Sequence, residues 1–269
     1  MFRTVISMLA VASVLAGCRE TTAPRDSRPA APRGLYSVTG DHEAFLHWLP
    51  NTERDVVAYR IYESPCATGP ECPYDRIGTV DGTSFVVSGL ANGETRFFAV
   101  AAVDRSGNES DLTYEDVFDT PRPEGFGLSL TEYHAAPRTS GYDFSQFVVL
   151  SFDHDQTDIY FGFDGTTRRM FTLFTDTEIQ DAGYTSSLDD VDFAPTTGWA
   201  SSGNVELVLG HSYVVWTHQD QEDHYAKFRV TRLNDSQVTF DWAYQVAEGN
   251  RELKAQPTDP RKRVRRSPS

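Results

Sequence analysis

Short runs of alternating apolar and polar residues, separated by turn residues about every ten positions, extend from residue 33 to about residue 247. A period of two places successive side chains on opposite faces of a β-strand. Helical periodicity is nearly absent. The pattern therefore predicts an all-β chain, and about 220 residues of it are enough for two small domains.

The first 17 residues have the composition of an export signal. Arg3 precedes an apolar run that starts at Val5, and small residues then lead to Cys18, which is the order of regions in a secretory signal peptide. The run is too short to cross a bilayer, because a membrane-spanning helix needs ~20 apolar residues. The sequence LAGC that ends at Cys18 resembles the lipobox of bacterial lipoproteins.

This resemblance implies that the Cys18 thiol is acylated and that the protein is anchored to a membrane by lipid. Each buried CH₂ group contributes ~0.8 kcal/mol, so several acyl chains give a stable anchor. Arg19 is not the aspartate that retains some bacterial lipoproteins in the inner membrane, which favours the outer membrane, facing the periplasm or the cell surface. The alternative is an ordinary secretory signal with an incidental cysteine. Residues 18–32, rich in Pro, Ala and Thr, are expected to form a flexible linker.

The charge of the chain is divided unequally. The whole chain carries −15, yet KAQPTDPRKRVRRSPS at its end holds six basic residues against Asp259. An acidic body argues against nucleic acid as a partner. Residues 248–269 are expected to form a disordered basic tail, and a contact with lipid head groups or an acidic partner is the alternative interpretation.

Residues 33–121 divide into seven predicted short strands separated by turns. Two of these strands alternate clearly, and their apolar faces are formed by Ala44, Leu46, Trp48, Val57, Tyr59 and Ile61. The stretch resembles a fibronectin type III domain over nearly its whole length, and this implies an immunoglobulin-like β-sandwich that serves for spacing, adhesion or partner binding.

Particular residues carry that resemblance. Trp48 and Tyr59 match the buried aromatic residues of the second and third strands of such domains. The run from Leu90 to Phe98 matches the corner between the fifth and sixth strands and the start of the sixth. Trp48, Tyr59, Leu90 and Phe98 are therefore expected in the core. Arg96 stands where these domains usually have a tyrosine that braces the corner, so the corner must be held in another way.

Cys66 and Cys72 lie between the third and fourth predicted strands. In an exported protein, a nearby pair of cysteines predicts a disulfide. The closed loop is short, so the chain-entropy model gives it only ~2 kcal/mol. A metal site, the alternative, would need further ligands, and none are close in the sequence.

Residues 125–247 contain a second set of predicted strands that ends in a three-stranded antiparallel meander. Trp242 is expected in its core, on one face with Val238, Phe240 and Tyr244. Residues 176–203 have no period and predict a long acidic loop. The sequence contains neither a G-x-S-x-G elbow nor an H-E-x-x-H or CxxC motif. We therefore expect no enzyme activity.

The stretch GHSYVVWTHQDQEDHYAKFRV holds three histidines in a predicted hairpin. With QDQED as a five-residue loop, His218 faces His224, while Val214 and Trp216 lie on the core face. His211 falls on the opposite face from His218. The pair His218 and His224 is thus the remaining candidate for a metal or haem site, but the interpretation that we favour is a hydrated hairpin rim.

The segments YVVWT, HYAKFRVTRL and VTFDWAYQ resemble the closing strands of HmuY-like haem-binding lipoproteins over residues 205–245. The resemblance implies haem binding as an alternative function, without assigning ligands. Otherwise no cofactor is expected. The sequence as a whole indicates a membrane-anchored, extracytoplasmic lipoprotein that acts as a non-catalytic binding or adhesion module for a protein or glycan partner.

Overall fold

The structure is a computed structural model that describes residues 27–67, 72–115, 117–219 and 222–253. The predicted signal peptide, Cys18 and most of the predicted basic tail lie outside the described residues. Within the described part, none of the helices has the length and apolar character needed to span a membrane. The fold of these described residues is all-β, as predicted, with seventeen strands.

Seven strands form the first domain in the part that the structure describes. They are β1 (Arg33–Thr39), β2 (Glu43–Leu49), β3 (Val56–Ser64), β4 (Asp75–Val80), β5 (Ser84–Ser88), β6 (Arg96–Asp104) and β7 (Val117–Asp119). They pair antiparallel in two sheets, with the orders β1-β2-β5 and β4-β3-β6-β7. Two such sheets of three and four strands make the fibronectin type III sandwich, which confirms the predicted fold of this region.

The core of the first domain follows the predicted alternation. The side chains of Trp48, Tyr59, Leu90 and Phe98 belong to one buried cluster, and the indole of Trp48 meets the ring of Tyr59 edge-on at 5.4 Å. Val57 is the exception, because it is 45% exposed. The pairing of β3 with β6 shifts register between Val56 and Ala58, and this irregularity breaks the alternation at the start of β3.

The corner before β6 is braced by a histidine. The backbone N–H of His42 donates to Asn92 Oδ1 at 2.9 Å, and its Nδ1 lies 2.9 Å from the carbonyl oxygen of Leu90. The N–H of Leu90 donates in return to the carbonyl of His42 at 3.0 Å. Arg96 forms an ion pair with Glu63 instead. His42 thus holds this corner by hydrogen bonds, as a tyrosine usually does in fibronectin type III domains.

Ten strands form the second domain, counted over residues 124–219 and 222–253. They are β8 (Glu124–Thr131), β9 (Gly141–Asp143), β10 (Val148–Leu150), β11 (Ile159–Phe163), β12 (Arg168–Thr172), β13 (Glu178–Tyr184), β14 (Asn204–Glu206), β15 (His211–Gln219), β16 (Glu222–Leu233) and β17 (Gln237–Gln245). They make two five-stranded sheets, β10-β9-β11-β12-β14 and β13-β15-β16-β17-β8. The predicted closing meander is β15-β16-β17, and Trp242 lies with Val238, Phe240 and Tyr244 in the aromatic-rich core.

The predicted loop 176–203 is partly wrong. It contains strand β13, which pairs with β15, and the short 3-10 helix Leu188–Asp190. Strand β13 carries polar residues at both kinds of position, so it has no visible period of two. Its neighbours in the sheet, rather than its own pattern, make it a strand.

Two predicted flexible segments are shorter than expected. In the predicted linker, Ala30 donates its N–H to Glu53 and accepts a hydrogen bond from Asn51. In the predicted tail, Leu253 is fully buried and donates its N–H to the carbonyl of Asp192 at 2.8 Å. Apolar burial and backbone hydrogen bonds therefore order residues 248–253, and the expectation of disorder from residue 248 is wrong for them.

Candidate functional site

The predicted facing pair of His218 and His224 is not formed. Strand β15 continues to Gln219 and β16 begins at Glu222, so the connection has two residues rather than five. His218 is paired with Asp223, and His224 with Thr217. A change of one residue in register moves a side chain to the opposite face of the sheet. The two histidines consequently lie on opposite faces.

The same shift corrects the predicted core face of the hairpin. Tyr213 and Val215 join the main core of the second domain. Val214 packs on the other side, in a small cluster with Tyr225 and the partly buried Trp216. The prediction that Val214 and Trp216 face the main core is therefore wrong.

His218 belongs to a polar group at the hairpin end. Its Nδ1 lies 2.6 Å from Asp223 Oδ1, which also accepts the indole N–H of Trp216 at 2.9 Å. The hydrogen bond with His218 lowers the pKa of Asp223. Asp223 Oδ1 is thus hydrogen-bonded to both the His218 imidazole and the Trp216 indole. These contacts account for the positions of both rings without a metal ion.

His224 lies near core aromatic residues and has its own partners. Its ring is 5.6 Å from that of Tyr244, and its Nδ1 is 3.3 Å from the carbonyl oxygen of Gln245. Its Nε2 is 3.5 Å from a carboxylate oxygen of Glu222. Across the described part of the chain, no three His, Cys, Asp or Glu side chains are grouped closely enough to hold a metal ion.

The predicted disulfide between Cys66 and Cys72 is present, with Cα atoms 5.2 Å apart. It closes a six-residue separation between β3 and β4. The bond therefore constrains the loop at one end of the first domain, as the sequence indicated.

A pair of buried carboxylates lies in the second domain. Asp158 is 2% exposed, and its Oδ2 accepts the N–H of Phe144 at 2.8 Å. Burial raises its pKa to about 7, and the charge of nearby Asp143 adds to the shift. Asp143 is fully buried and binds the backbone N–H groups of the following turn. Because both side chains are sealed from solvent, we assign them a structural role.

The junction of the two domains is short and fixed by backbone hydrogen bonds. Four residues, 120–123, connect β7 to β8. The N–H of Arg122 donates to Gly40, that of Gly93 to Pro121, and that of Tyr244 to Pro123. A Cβ on Gly93 would stand 2.9 Å from a methyl carbon of Val246. The corner of the first domain is therefore packed directly on the end of β17.

Two cations are buried at this junction. Arg122 and Lys227 are both fully buried. Lys227 Nζ donates to the carbonyl of Val191 at 3.2 Å and lies 4.0 Å from Asp189. The three side-chain nitrogens of Arg122 have no hydrogen-bond partner among the described residues. Burial lowers the pKa of both cations, while the charge of Glu124 opposes the shift of Arg122.

A cleft of about 360 Å³ opens on one side of the junction. We call it the junction cleft and define it by Phe45, Glu124, Phe126, Asp189, Arg229 and Asp241, with Ser186 and Ser187 at its wall. The ring of Phe126 is 74% exposed. Three carboxylates accompany one guanidinium, so the cleft is acidic.

Local hydrogen bonds position the polar groups of this cleft. Arg229 donates Nε and Nη2 to the carbonyl of Thr185, at 3.2 and 3.0 Å. The N–H of Gly127 donates to Asp241 Oδ1 at 2.9 Å. The φ angle of Gly127 is +67°, a value that glycine adopts readily. The register shift that β8 makes against β17 after Phe126 therefore holds the Asp241 carboxylate.

A second cleft, of about 260 Å³, opens on the other side of Glu124. We call it the corner cleft, and His42, Phe147 and Trp242 contribute to its lining. Among the described residues other than glycine, only His42 and Phe147 have a positive φ angle, which is 58° in each. The ring of Phe147 stacks on Trp242 at 5.5 Å, which offsets part of the backbone strain.

Neither cleft was predicted from the sequence. Its candidate histidines His218 and His224 lie elsewhere, and Glu124 and Phe126 received no role. A signal was present in the sequence, because Phe126 stands between two glycines and Arg122 between two prolines. Glycines on both sides of Phe126 allow unusual backbone angles, and prolines on both sides of Arg122 restrict them. Such a pair of segments is a signal of a junction with a defined backbone conformation.

Comparison with known proteins found similarity over part of the chain only. No established protein family matches the chain. A stretch of 105 residues, 39% of the chain, is 30% identical to amylopullulanases from Thermoanaerobacterium saccharolyticum and Thermoanaerobacterium thermosulfurigenes, and covers 8% and 5% of their lengths. The chain is thus similar to a small part of each relative.

Solved structures with similarity to the chain include fibronectin type III domains. An Fn3-like protein from Clostridium thermocellum is 27% identical over 37% of this chain and 100% of its own, with a TM-score of 0.31. The FN5 domain of Drosophila Lar is 22% identical over 35% of this chain and 99% of its own, with a TM-score of 0.29.

Proposed function

We propose that this chain is a lipid-anchored, extracytoplasmic binding module without catalytic activity, and that the junction cleft binds a glycan. The observation that carries the proposal is the cleft itself, where exposed Phe126 and half-buried Phe45 stand beside carboxylates and serine hydroxyls. Binding pockets occur preferentially at domain interfaces, with apolar faces and a few fixed polar groups.

The residues of the cleft suit a polyhydroxyl ligand. An aromatic ring offers a flat apolar face to the C–H side of a sugar. The carboxylates of Asp189 and Asp241 are acceptors for sugar hydroxyl groups, and the Arg229 guanidinium is a donor. Asp241 is already oriented by Gly127, and this pre-organisation reduces the entropic cost of binding.

The relatives support a glycan as the partner. Two of them are amylopullulanases, and the chain is similar to a small part of each. Fibronectin type III-like domains are commonly binding or adhesion modules. A protein partner remains the other outcome of the binding experiment.

The anchor is part of the proposal and is tested separately. We expect Cys18 to carry the acyl chains and to hold the domains at the outer membrane, with residues 19–29 as the tether. Metabolic labelling with an alkyne fatty acid, followed by cell fractionation, should label the protein. Cys18→Ser should remove both the label and the membrane association. Persistent labelling of this variant would refute lipidation at Cys18.

The glycan proposal is tested with the full mature chain. We expect calorimetric titration against soluble α-glucans, β-glucans and peptidoglycan fragments to detect one binding class without release of reducing ends. Phe126→Ala and Asp241→Asn should each weaken binding at least tenfold. Tyr114→Ala is the matched control, since Tyr114 is 78% exposed and is not among the lining residues of the cleft. Equal losses in all three variants, or binding only to a protein, would contradict the proposal.

A further inference from the structure

We infer that the basic tail, residues 254–269, docks in the junction cleft of its own chain and competes with the ligand there. The competition rests on the proposed function, whereas the docking does not, because it depends only on the tail and the cleft. The tail lies outside the described residues. Its sequence, its point of attachment and the chemistry of the cleft carry the inference.

The charges of the tail and the body are opposite and unequal. Of the total of −15, residues 254–269 contribute +5 and residues 1–26 contribute +1, which leaves −21 on residues 27–253. A chain segment of one sign attached to a body of the other is attracted to it over about one Debye length, ~8 Å at physiological ionic strength. The tail therefore has a preferred partner within its own molecule.

The chain leaves the folded body next to the cleft. Leu253 is buried, and its N–H is bonded to the carbonyl of Asp192. Asp189, which lines the junction cleft, precedes Asp192 by three residues. Three residues span at most roughly 11 Å and the hydrogen-bonded Leu253–Asp192 pair adds about 5 Å between Cα atoms, so the tail begins within about 16 Å of the Asp189 backbone.

The tether is long enough for the basic run of the tail to reach the cleft. Arg261 is the eighth residue after Leu253, and eight residues span at most roughly 29 Å. An intramolecular partner on so short a tether has an effective concentration on the order of mM. Even weak contacts are then populated.

The groups on both sides match. The basic run, RKRVRR, presents guanidinium groups, which bind carboxylates in a bidentate way and also stack on aromatic faces. The cleft offers Glu124, Asp189 and Asp241 beside the exposed ring of Phe126. Arg229 is the one cation among its lining residues, and its Nε and Nη2 are already bonded to the carbonyl of Thr185. The cleft therefore has carboxylates in excess for an arriving cation.

The docking is tested by zero-length cross-linking of the full mature chain without ligand. A carbodiimide joins an amine to a carboxylate in direct contact, so Lys254 and Lys262 report where the tail lies. We expect amide bonds from Lys262 to Asp189, Asp241 or Glu124, independent of protein dilution. In 0.5 M NaCl, where charge is screened, their yield should fall several-fold.

Matched variants decide whether the contact is specific. Asp189→Asn should reduce the yield at the cleft at least threefold, whereas Asp155→Asn should not, although the Asp155 side chain is 89% exposed. Cross-links spread evenly over the acidic surface, or formed only between molecules, would overturn the inference. Vesicles of phosphatidylglycerol and phosphatidylcholine test the rival partner. Cross-links that vanish at an equimolar amount of anionic lipid would assign the tail to the membrane.

The competition is tested with the tail neutralised by glutamine at Arg261, Lys262, Arg263, Arg265 and Arg266. Glycan affinity should rise by about fivefold at low salt, and the difference should shrink in 0.5 M NaCl. Unchanged affinity together with specific cross-links would refute the competition while leaving the docking intact. If no glycan binds the native chain or the neutralised chain, the proposed function fails, and the cross-links still report on the docking alone.

Discussion

The core of the first domain and the junction between the domains are both buried, but they are built from different chemistry. The first is a cluster of apolar side chains such as Ile61 and Phe98. The second contains the cations Arg122 and Lys227 and the carboxylate Asp119, and burial raises the pKa of this carboxyl. Apolar burial stabilises a fold at any pH, whereas buried charge costs free energy unless every group is paired. The first domain is thus built for stability, and the junction is built to hold polar groups in place.

The apolar core of the first domain predicts the largest effect of a substitution on stability. Phe98 is fully buried in the core of the first domain. Phe98→Ala should lower the free energy of unfolding by ~3–5 kcal/mol, because it removes apolar contacts and leaves a cavity. Val57→Ala is the control, since Val57 is 45% exposed, and it should change stability by less than ~0.5 kcal/mol. Urea unfolding followed by tryptophan fluorescence measures both, and equal effects would break the comparison.

The buried carboxylate of the second domain predicts a dependence on pH. The folded-state pKa of Asp158 is raised to about 7 from its ordinary 3.8, so the folded protein binds the proton more tightly. The free energy of unfolding should therefore fall as pH rises from about 4 to about 7 and level off above that, by at most ~4 kcal/mol. Asp158→Asn should flatten this slope and stabilise the protein at pH 8. A slope that survives in the variant would assign it to another group.

The junction predicts a gain from removing a charge. Lys227→Met replaces a fully buried ammonium with an apolar side chain of similar length. Stability at pH 6 should be unchanged or higher, on the order of 1–3 kcal/mol, because the desolvation cost of the charge disappears. Leu130→Ala, in the apolar core, is the opposite control. A loss of several kcal/mol in Lys227→Met would show that the cation is fully compensated, and the contrast with the first domain would be weaker.

The brace at the corner predicts a smaller effect. His42→Ala removes the contact with the carbonyl of Leu90 and keeps the positive φ, so it should cost ~1–2 kcal/mol. His42→Gly loses the same contact but relieves the backbone strain, and it should cost less than His42→Ala. His47→Ala on a nearby strand is the control. Thermal unfolding ranks the three variants, and a glycine variant less stable than the alanine variant would contradict the assigned strain.

The hairpin predicts the smallest effect. Because His218 and His224 lie on opposite faces, replacing both with alanine should leave the absorbance spectrum of a haemin titration unchanged. Haem binding itself stays a prediction of the HmuY-like resemblance. A Soret shift that disappears in the double variant would show that the hairpin rearranges to bring the two rings together.

The sequence predicted those parts of the fold that follow from a local alternation of residues or from a short spacing. The alternation around Trp48 and Trp242, the disulfide of Cys66 and Cys72 and the all-β class follow from local periodicity and spacing. The hairpin register did not, because QDQED is polar enough to be a loop, while the sheet extends the strands into it. A two-residue loop and a five-residue loop fit nearly the same sequence pattern. The change of register between them moves the side chains of one strand to the opposite face of the sheet.

The site was harder to predict than the fold for a related reason. Glu124 and Phe126 are close to each other in the sequence, but Phe45, Asp189 and Arg229 come from distant elements. Nothing in the spacing of these residues indicates that they meet. The stretch TPRP has the composition of a linker, and only tertiary hydrogen bonds to Gly40, Gly93 and Tyr244 make it part of the packed interior.

The contact of Gly93 with Val246 has a mechanical consequence. If the chain is tethered to a membrane through its first residues, as proposed, a force on the tether would enter the folded part near β1 and would reach the second domain through residues 120–123 and the corner that holds Gly93. Residues 121–123 have hydrogen bonds to both domains, and the corner that holds Gly93 packs against the end of β17. Under the proposed anchoring, the two domains would therefore move together about the tether, and the length of the tether would set how far from the bilayer the junction cleft can lie.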